Sequence, residues 1–160
     1  MLDYLNPHPR GWQNPVTARA SAALPAAGAW DASPTEFFCS GARWIQIQFT
    51  YTQGGQNQGA FDWQLESSIY AVAANVPAGA GEWAEPSIFS GGAVALGADT
   101  QSRDQQEYIT YGSKGVAAET FTFGPVELDR VIERLRIPAR ESADGDVANP
   151  GTLAIVVEMW

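Results

Sequence analysis

The chain has 160 residues, of which 45% are hydrophobic and 17% charged, and a formal net charge of −9. This composition predicts a folded globular domain and argues against a disordered chain. Nine basic residues against eighteen acidic ones argue against nucleic-acid binding, which needs a basic surface stripe. We find neither the apolar run of a signal peptide in residues 1–12 nor a stretch that could span a bilayer, so we expect assembly in a cytoplasm and no membrane partner.

Residues 1–15 form the first predicted segment, an extended arm. Pro7, Pro9 and Pro15 oppose helix, and each pushes the preceding residue toward extended backbone. The arm nevertheless carries the apolar side chains of Tyr4, Leu5 and Trp12. We therefore expect these three residues to contact another subunit.

Residues 16–160 form the predicted domain. Glycines and prolines divide it into segments of about 6 to 12 residues, the spacing typical of all-β sandwiches and barrels. Strands are predicted, in chain order, at 16–24, 35–40, 43–52, 61–69, 83–89, 107–111, 119–123, 130–137 and 152–160, with a long surface loop at 90–106. This count predicts an all-β fold, an antiparallel two-sheet sandwich of eight or nine strands that is jelly-roll-like.

Two of these predicted strands show the clearest alternation of apolar and polar residues. Apolar residues occupy every second position from Ile45 to Tyr51 and again from Phe61 to Ile69, and residues 53–59 between them are rich in Gly, Asn and Gln. We predict that 43–52 and 61–69 form a hairpin.

The last two predicted strands differ in how clearly their sequence patterns indicate a strand. Residues 130–137 fit a strand, and helix over 126–135 is the competing interpretation because a 3.6-residue period also fits there. Residues 152–160 alternate regularly between Leu153 and Met159, which predicts a strand held inside a sheet.

Candidate catalytic residues are few. The only histidine, His8, lies in the Pro-rich arm, and we interpret the only cysteine, Cys39, as a small buried hydrophobic residue. Neither a catalytic triad nor a zinc site is therefore predicted. Asp62 and Glu66 share one face of their strand but lie about 13 Å apart, farther than a glycosidase pair, so we interpret them as part of a solvated polar face. We predict no enzyme activity, no metal and no cofactor.

Two further features have alternative interpretations. The loop 141–146 concentrates oxygen ligands that could bind Ca²⁺, but it lacks the calcium-loop spacing, and the alternative is an acidic turn with Gly145 at positive φ. Trp44 points away from the core face of its strand, where it could pack internally, stack on a sugar or contact another subunit.

The order of strands and turns from residue 16 to residue 160 resembles that of small β-sandwich virion proteins of tailed bacteriophages, such as capsid decoration proteins and other head- or tail-associated proteins. The residues that carry the resemblance are Ala29 to Pro34, Ile45 to Gly55, Phe61 to Ser68, Tyr108 to Gly112, Arg134 to Glu141 and Asn149 to Leu153. The resemblance implies a structural protein without an active site.

The leading hypothesis is therefore a non-enzymatic virion subunit that forms a homo-oligomer, with a trimer favoured, and that contacts other virion proteins such as the major capsid protein. Tyr4, Leu5, Trp12 and Trp44 are the predicted contact residues. A carbohydrate-binding or adhesin module is the alternative, and a glycan-cleaving enzyme is a weaker third.

Overall fold

The structure is a computed structural model that describes residues 13–39, 41–55, 59–78, 83, 108–113, 117–128 and 131–160. Its strands are β1 (Gln13–Ala23), β2 (Glu36–Phe38), β3 (Trp44–Thr52), β4 (Gly59–Trp63), β5 (Glu66–Ser68), β6 (Ile109–Ser113), β7 (Ala118–Glu127), β8 (Arg134–Arg136), β9 (Ala139–Glu141) and β10 (Thr152–Met159). Two single-turn 3₁₀ segments, Ala26–Gly28 and Ala73–Asn75, complete the regular structure of the described residues. The predicted all-β class is confirmed.

The first layer is an antiparallel sheet in the order β1-β10-β3-β7. Its centre is a regular ladder that runs from Thr152 opposite Thr52 to Met159 opposite Ile45. Odd-numbered residues of both strands are buried and even-numbered residues point outward, because successive side chains of a strand alternate between faces. The predicted burial of the segment 152–160 within a sheet is confirmed.

The second layer combines two three-stranded sheets, β2-β8-β5 and β6-β4-β9. Phe61 lies opposite Glu141 and, seven residues further along each strand, Ser68 lies opposite Arg134, so the register is unchanged across the break. The backbone N–H of Gln64 donates to the carbonyl of Pro138 (3.2 Å) within the break, where proline itself has no N–H to donate. β4 and β5 therefore act as one long bent strand, and β9 and β8 as its long bent neighbour.

The core lies between the two layers and is largely aromatic. The Phe49 ring is 4.7 Å from Trp63 and 5.5 Å from Phe61, and the Tyr51 ring is 5.1 Å from Phe61. Phe123 adds an edge contact with Trp63 at 4.9 Å. These contacts join β3 and β7 of one layer to β4 of the other, which is the arrangement of a β-sandwich.

The predicted hairpin of 43–52 with 61–69 is wrong. β3 pairs with β10 and β7, whereas β4 pairs with β6 and β9, so the chain crosses from one layer to the other after Thr52. Alternation only requires that both strands present an apolar side to the core. Strands that face each other across the core satisfy this as well as neighbouring strands do.

Several element boundaries also differ from the prediction. β1 begins at Gln13, so residues 13–15 of the predicted arm are strand. In the predicted strand 130–137, only Arg134–Arg136 is strand, and no helix forms among the described residues of 126–135. β9 follows Pro138 and was not predicted. The predicted strand 83–89 and loop 90–106 lie outside the described residues except for Trp83.

Candidate functional site

The outer face of the first layer is formed mainly by uncharged residues of the described strands, with Glu158 as the exception. We call it the outer sheet face, and its members are Trp44, Gln46, Gln48, Thr50 and Thr52 on β3, Thr152, Ala154, Val156 and Glu158 on β10, and Ala118, Thr120 and Thr122 on β7. Three consecutive cross-strand rows, centred on Gln48, Thr50 and Thr52, contain no charged side chain. Such a surface can approach another protein without desolvating ions.

A pair of tryptophans occupies one end of this face. Trp44 on β3 lies directly opposite Trp160 and exchanges two backbone hydrogen bonds with it, N–H to carbonyl, at 2.8 and 3.1 Å. Both side chains are half-buried. The prediction that Trp44 faces away from the core is confirmed, since Ile45 beside it is fully buried. A second tryptophan beside Trp44 could have been found only by knowing that β3 pairs with β10.

Charges lie at the margin of the tryptophan pair. The Arg43 guanidinium lies 6.0 Å from the centre of the Trp44 ring and donates to Glu127 at 2.9 Å. The side chains of Arg43 and Glu127 are 60% and 54% exposed, so this ion pair contributes little to stability. The pair of rings with a hydrated charged margin has the composition of the core and rim of a protein interface.

The predicted contact residues of the arm, Tyr4, Leu5 and Trp12, lie outside the described residues. The first described residue, Gln13, lies opposite Met159, the neighbour of Trp160 in the sequence. The chain therefore joins the sandwich at the end of the sheet that carries the tryptophan pair.

A row of arginines on the outer face of the second layer was not predicted as a feature. Arg134 donates to Glu36 (2.6 Å), Arg136 pairs with Glu66, and Arg140 donates to Asp62 (2.8 Å). The available sequence signal was the spacing of two between Arg134 and Arg136 and of four between Arg136 and Arg140. The carboxylate partners come from other strands, which the sequence does not align.

Tryptophan rings lie against the same guanidinium groups. The Trp83 ring lies 4.2 Å from the Cζ of Arg136 and 5.0 Å from that of Arg134, and the Trp30 ring lies 4.5 Å from that of Arg140. Each arginine thus has both a carboxylate and an aromatic partner. The row holds the bent strands together, and its charges are balanced.

The interpretation of Asp62 and Glu66 as a solvated polar face is wrong. Asp62 is 1% exposed and accepts from Thr110 (2.7 Å) as well as from Arg140. Glu66 lies beyond the bend between β4 and β5, is half-buried and is paired with Arg136. The error arose because the face that turns away from the core is covered by side chains of the same layer. Both carboxylates have guanidinium partners.

The acidic loop 141–146 is organised around Glu141, which is 1% exposed. Its Oε1 accepts from the Tyr51 hydroxyl (2.8 Å) and its Oε2 from the backbone N–H of Gly151 (3.0 Å). Burial and this carboxylate raise the pKa of Tyr51 above its ordinary value. The described residues include no group of three or more ligand side chains that could hold a metal ion. Glu141 therefore anchors the loop to the core.

The expected positive φ at Gly145 is wrong, and glycine is needed there for a different reason. A Cβ at this position would lie 2.4 Å from Glu141 Oε1 and 2.9 Å from the backbone of Ala60. The left-handed glycines among the described residues are Gly28, Gly41 and Gly124. Close approach, not backbone conformation, fixes glycine at 145.

Cys39 is a buried residue of the core, as predicted, with 1% exposure. Burial and, to a smaller extent, Glu133 raise the pKa of the thiol to about 12, so it stays protonated at neutral pH. His8, the other candidate for nucleophilic catalysis, lies outside the described residues.

Comparisons with protein-family models, with curated proteins and with solved structures found no match. Among the described residues, no helix has the length and apolar character needed to cross a membrane.

Proposed function

We propose that the chain is a non-enzymatic structural subunit of a tailed-phage virion. It acts as a capsid decoration or accessory protein that assembles with its own copies, as a trimer or a larger multimer, and contacts the major capsid protein. Its location is the virion. Fold-level analogy supports this proposal, and the outer sheet face supplies the surface through which it would act.

The observation that carries the proposal is the order of the strands. With the bent strands β4/β5 and β8/β9 each counted once, the described residues form eight strands. Numbered one to eight along the chain, these strands follow the order 1-8-3-6 in the first layer and 2-7-4-5 in the second. We propose that this order makes the sandwich a jelly roll, the architecture that recurs in viral capsid and lectin domains.

Two features of the described residues favour an assembly role over catalysis. The buried or half-buried carboxylates of the arginine row have guanidinium partners, and the Cys39 thiol is kept protonated. The outer sheet face, by contrast, presents two half-buried tryptophans beside uncharged rows. A surface of this composition fits a protein partner.

The proposal is tested by adding purified protein to shells of the encoding phage that were assembled without it. We expect saturable binding at a copy number set by the shell lattice, and weaker binding by Trp44→Ala. Gln64→Ala, in the other layer, is the matched control and should bind as the parent does. Absence of binding to shells at saturating protein would contradict the proposal.

A carbohydrate-binding module is the second candidate, favoured by one observation. Trp44 is half-buried and lies two residues from Gln46 on the same sheet face, and a sugar can stack on indole while amides bind its hydroxyls. Glycan-array binding that Trp44→Ala abolishes would support this function. A protein that ignores glycans but binds shells would exclude it.

A further inference from the structure

A second surface lies on the lateral edge of the sandwich formed by β6 and β7. Most of the partly buried hydrophobic residues packed against the core belong to these two strands: Ile109, Tyr111, Phe121, Phe123 and Val126. The Tyr111 and Phe121 rings stack at 4.9 Å with an interplanar angle of 3°. The edge therefore presents aromatic side chains that the subunit itself covers only in part.

The backbone of β7 is also available at this edge. β7 is the last strand of its sheet, and within the described residues it pairs with β3 alone. The N–H of Gln53 donates to the carbonyl of Ala117 (3.1 Å), which makes these two residues a hydrogen-bonded pair of the antiparallel ladder.

Hydrogen-bonded and non-hydrogen-bonded pairs alternate along such a ladder. Odd-numbered residues of the regular part of β7, such as Phe121, thus bond to β3. The N–H and carbonyl groups of Thr120 and Thr122 point away from β3, and both side chains are exposed. The outward backbone groups of Ala118, Thr120 and Thr122 offer donors and acceptors to an added strand, before Pro125 ends the run of donors.

We propose that the β7 edge is a homotypic contact, in which β7 of a second copy of this chain adds antiparallel to β7 about a two-fold axis at Phe121. In this register Thr120 lies opposite Thr122 of the second copy, and these are the residues whose backbone groups point outward. Thr–Thr cross-strand pairs are favourable, and the two Phe121 rings meet at the axis.

Charge opposes a second copy less at this edge than at a strongly charged surface. Each copy carries −9, so contact is least opposed where charges are few. The segment from Ala118 to Phe123 has one charged residue, Glu119, whose Oε2 is buried within its own subunit. The register sets Glu119 opposite Phe123 of the second copy and about 13 Å along the strand from the other Glu119.

A strand pair of this length buries less than the ~1,600 Å² of a standard interface, so the contact is weak in isolation and gains strength in a repeated assembly. A two-fold contact closes a dimer, so the β7 edge would join copies in addition to the contacts that form the proposed trimer or larger multimer. This contact stands apart from virion location. Binding to shells tests the location, and self-association of the purified chain tests this edge.

The experiment is sedimentation equilibrium of the full chain up to about 1 mM, the range in which contacts of low affinity are populated. Thr122→Pro removes an outward N–H that β3 does not use, so we expect a folded protein whose self-association is at least about tenfold weaker. Thr122→Ala keeps the N–H and is the matched control, with a change of less than about twofold expected.

A register test covers the case in which Thr122→Pro unfolds the chain. Thr120→Asp alone should weaken self-association, and Thr120→Asp combined with Thr122→Lys should restore it, because the two positions face each other across the axis. A monomer at the highest concentration would overturn the proposal. Slow hydrogen exchange of the Thr120 and Thr122 backbone N–H groups in the monomeric protein would also overturn it, because the chain's own residues would then cover the edge. Self-association that these variants leave unchanged would also overturn it.

Discussion

At the scale of single residues, the described ion pairs divide into two kinds. Asp62 is 1% exposed and depends on Arg140, whereas the side chains of Arg43 and Glu127 are more than half exposed. Removing one partner of a buried pair leaves a charge that water cannot reach, and removing one partner of an exposed pair does not. The burial of the partner therefore decides the cost.

We predict that Arg140→Ala lowers the free energy of unfolding by about 3 to 5 kcal/mol, because Asp62 loses its guanidinium partner. Arg43→Ala is the matched control, and its cost should stay below about 1 kcal/mol. Urea denaturation of both variants measures the difference. Equal costs for the two variants would mean that Asp62 is reached by water.

We predict that Cys39 contributes to the alkaline instability of the protein. Its pKa is raised from 9.0 to about 12 in the folded state, so the stabilising contribution is fully present below about pH 9 and is lost as pH rises toward 12. Each linked proton changes stability by about 1.4 kcal/mol per pH unit. Between pH 9 and 10.5, Cys39→Ala should lose stability less steeply than the parent in denaturant titrations. Parallel curves would contradict the raised pKa.

At the scale of elements, alternation was informative about faces and uninformative about neighbours. The sequence of β3 and β10 indicates which residues are buried, since each odd residue from Ile45 to Tyr51 is fully covered. It does not indicate that β10, about a hundred residues later, lies beside β3. Alternation is a local property of one strand, whereas pairing depends on the whole core.

We predict that adjacent residues of β3 differ sharply in their effect on stability. Ile47→Ala should cost about 2 to 5 kcal/mol, because it removes buried methyl groups and leaves a cavity. Gln48→Ala, on the exposed face, should cost less than about 1 kcal/mol. The two midpoints in urea are the measurement. A larger effect of Gln48→Ala on the monomer would mean that the register is shifted by one residue.

At the scale of the whole molecule, composition and the spacing of glycines and prolines were enough to predict an all-β sandwich. They did not predict which strands share a sheet. Asp62 and the arginine row show why the ion pairs of the second layer could not be predicted from the sequence. A buried ion pair joins residues such as Asp62 and Arg140, which are 78 positions apart, and nothing local marks them as partners. Trp44 could be predicted as outward-facing from its own strand alone, whereas its neighbour Trp160 required the pairing of β3 with β10.

We predict that deletion of residues 2–12 leaves the sandwich folded and weakens assembly. β1 begins at Gln13, so this deletion removes only residues that precede β1. Burial of Tyr4, Leu5 and Trp12 on another chain would favour association by several kcal/mol, at about 25 cal/mol per Å² before ordering costs. Thermal unfolding and light scattering of the full and shortened chains measure both effects. Unfolding of the shortened chain would show that these residues belong to its own domain.

The proposed role as a virion subunit is tested most directly by the protein composition of particles from the phage that encodes the chain. We expect quantitative mass spectrometry of gradient-purified particles to find the chain in many copies, in a fixed ratio to the major capsid protein. Particles that lack the chain, while infected cells contain it, would contradict the account.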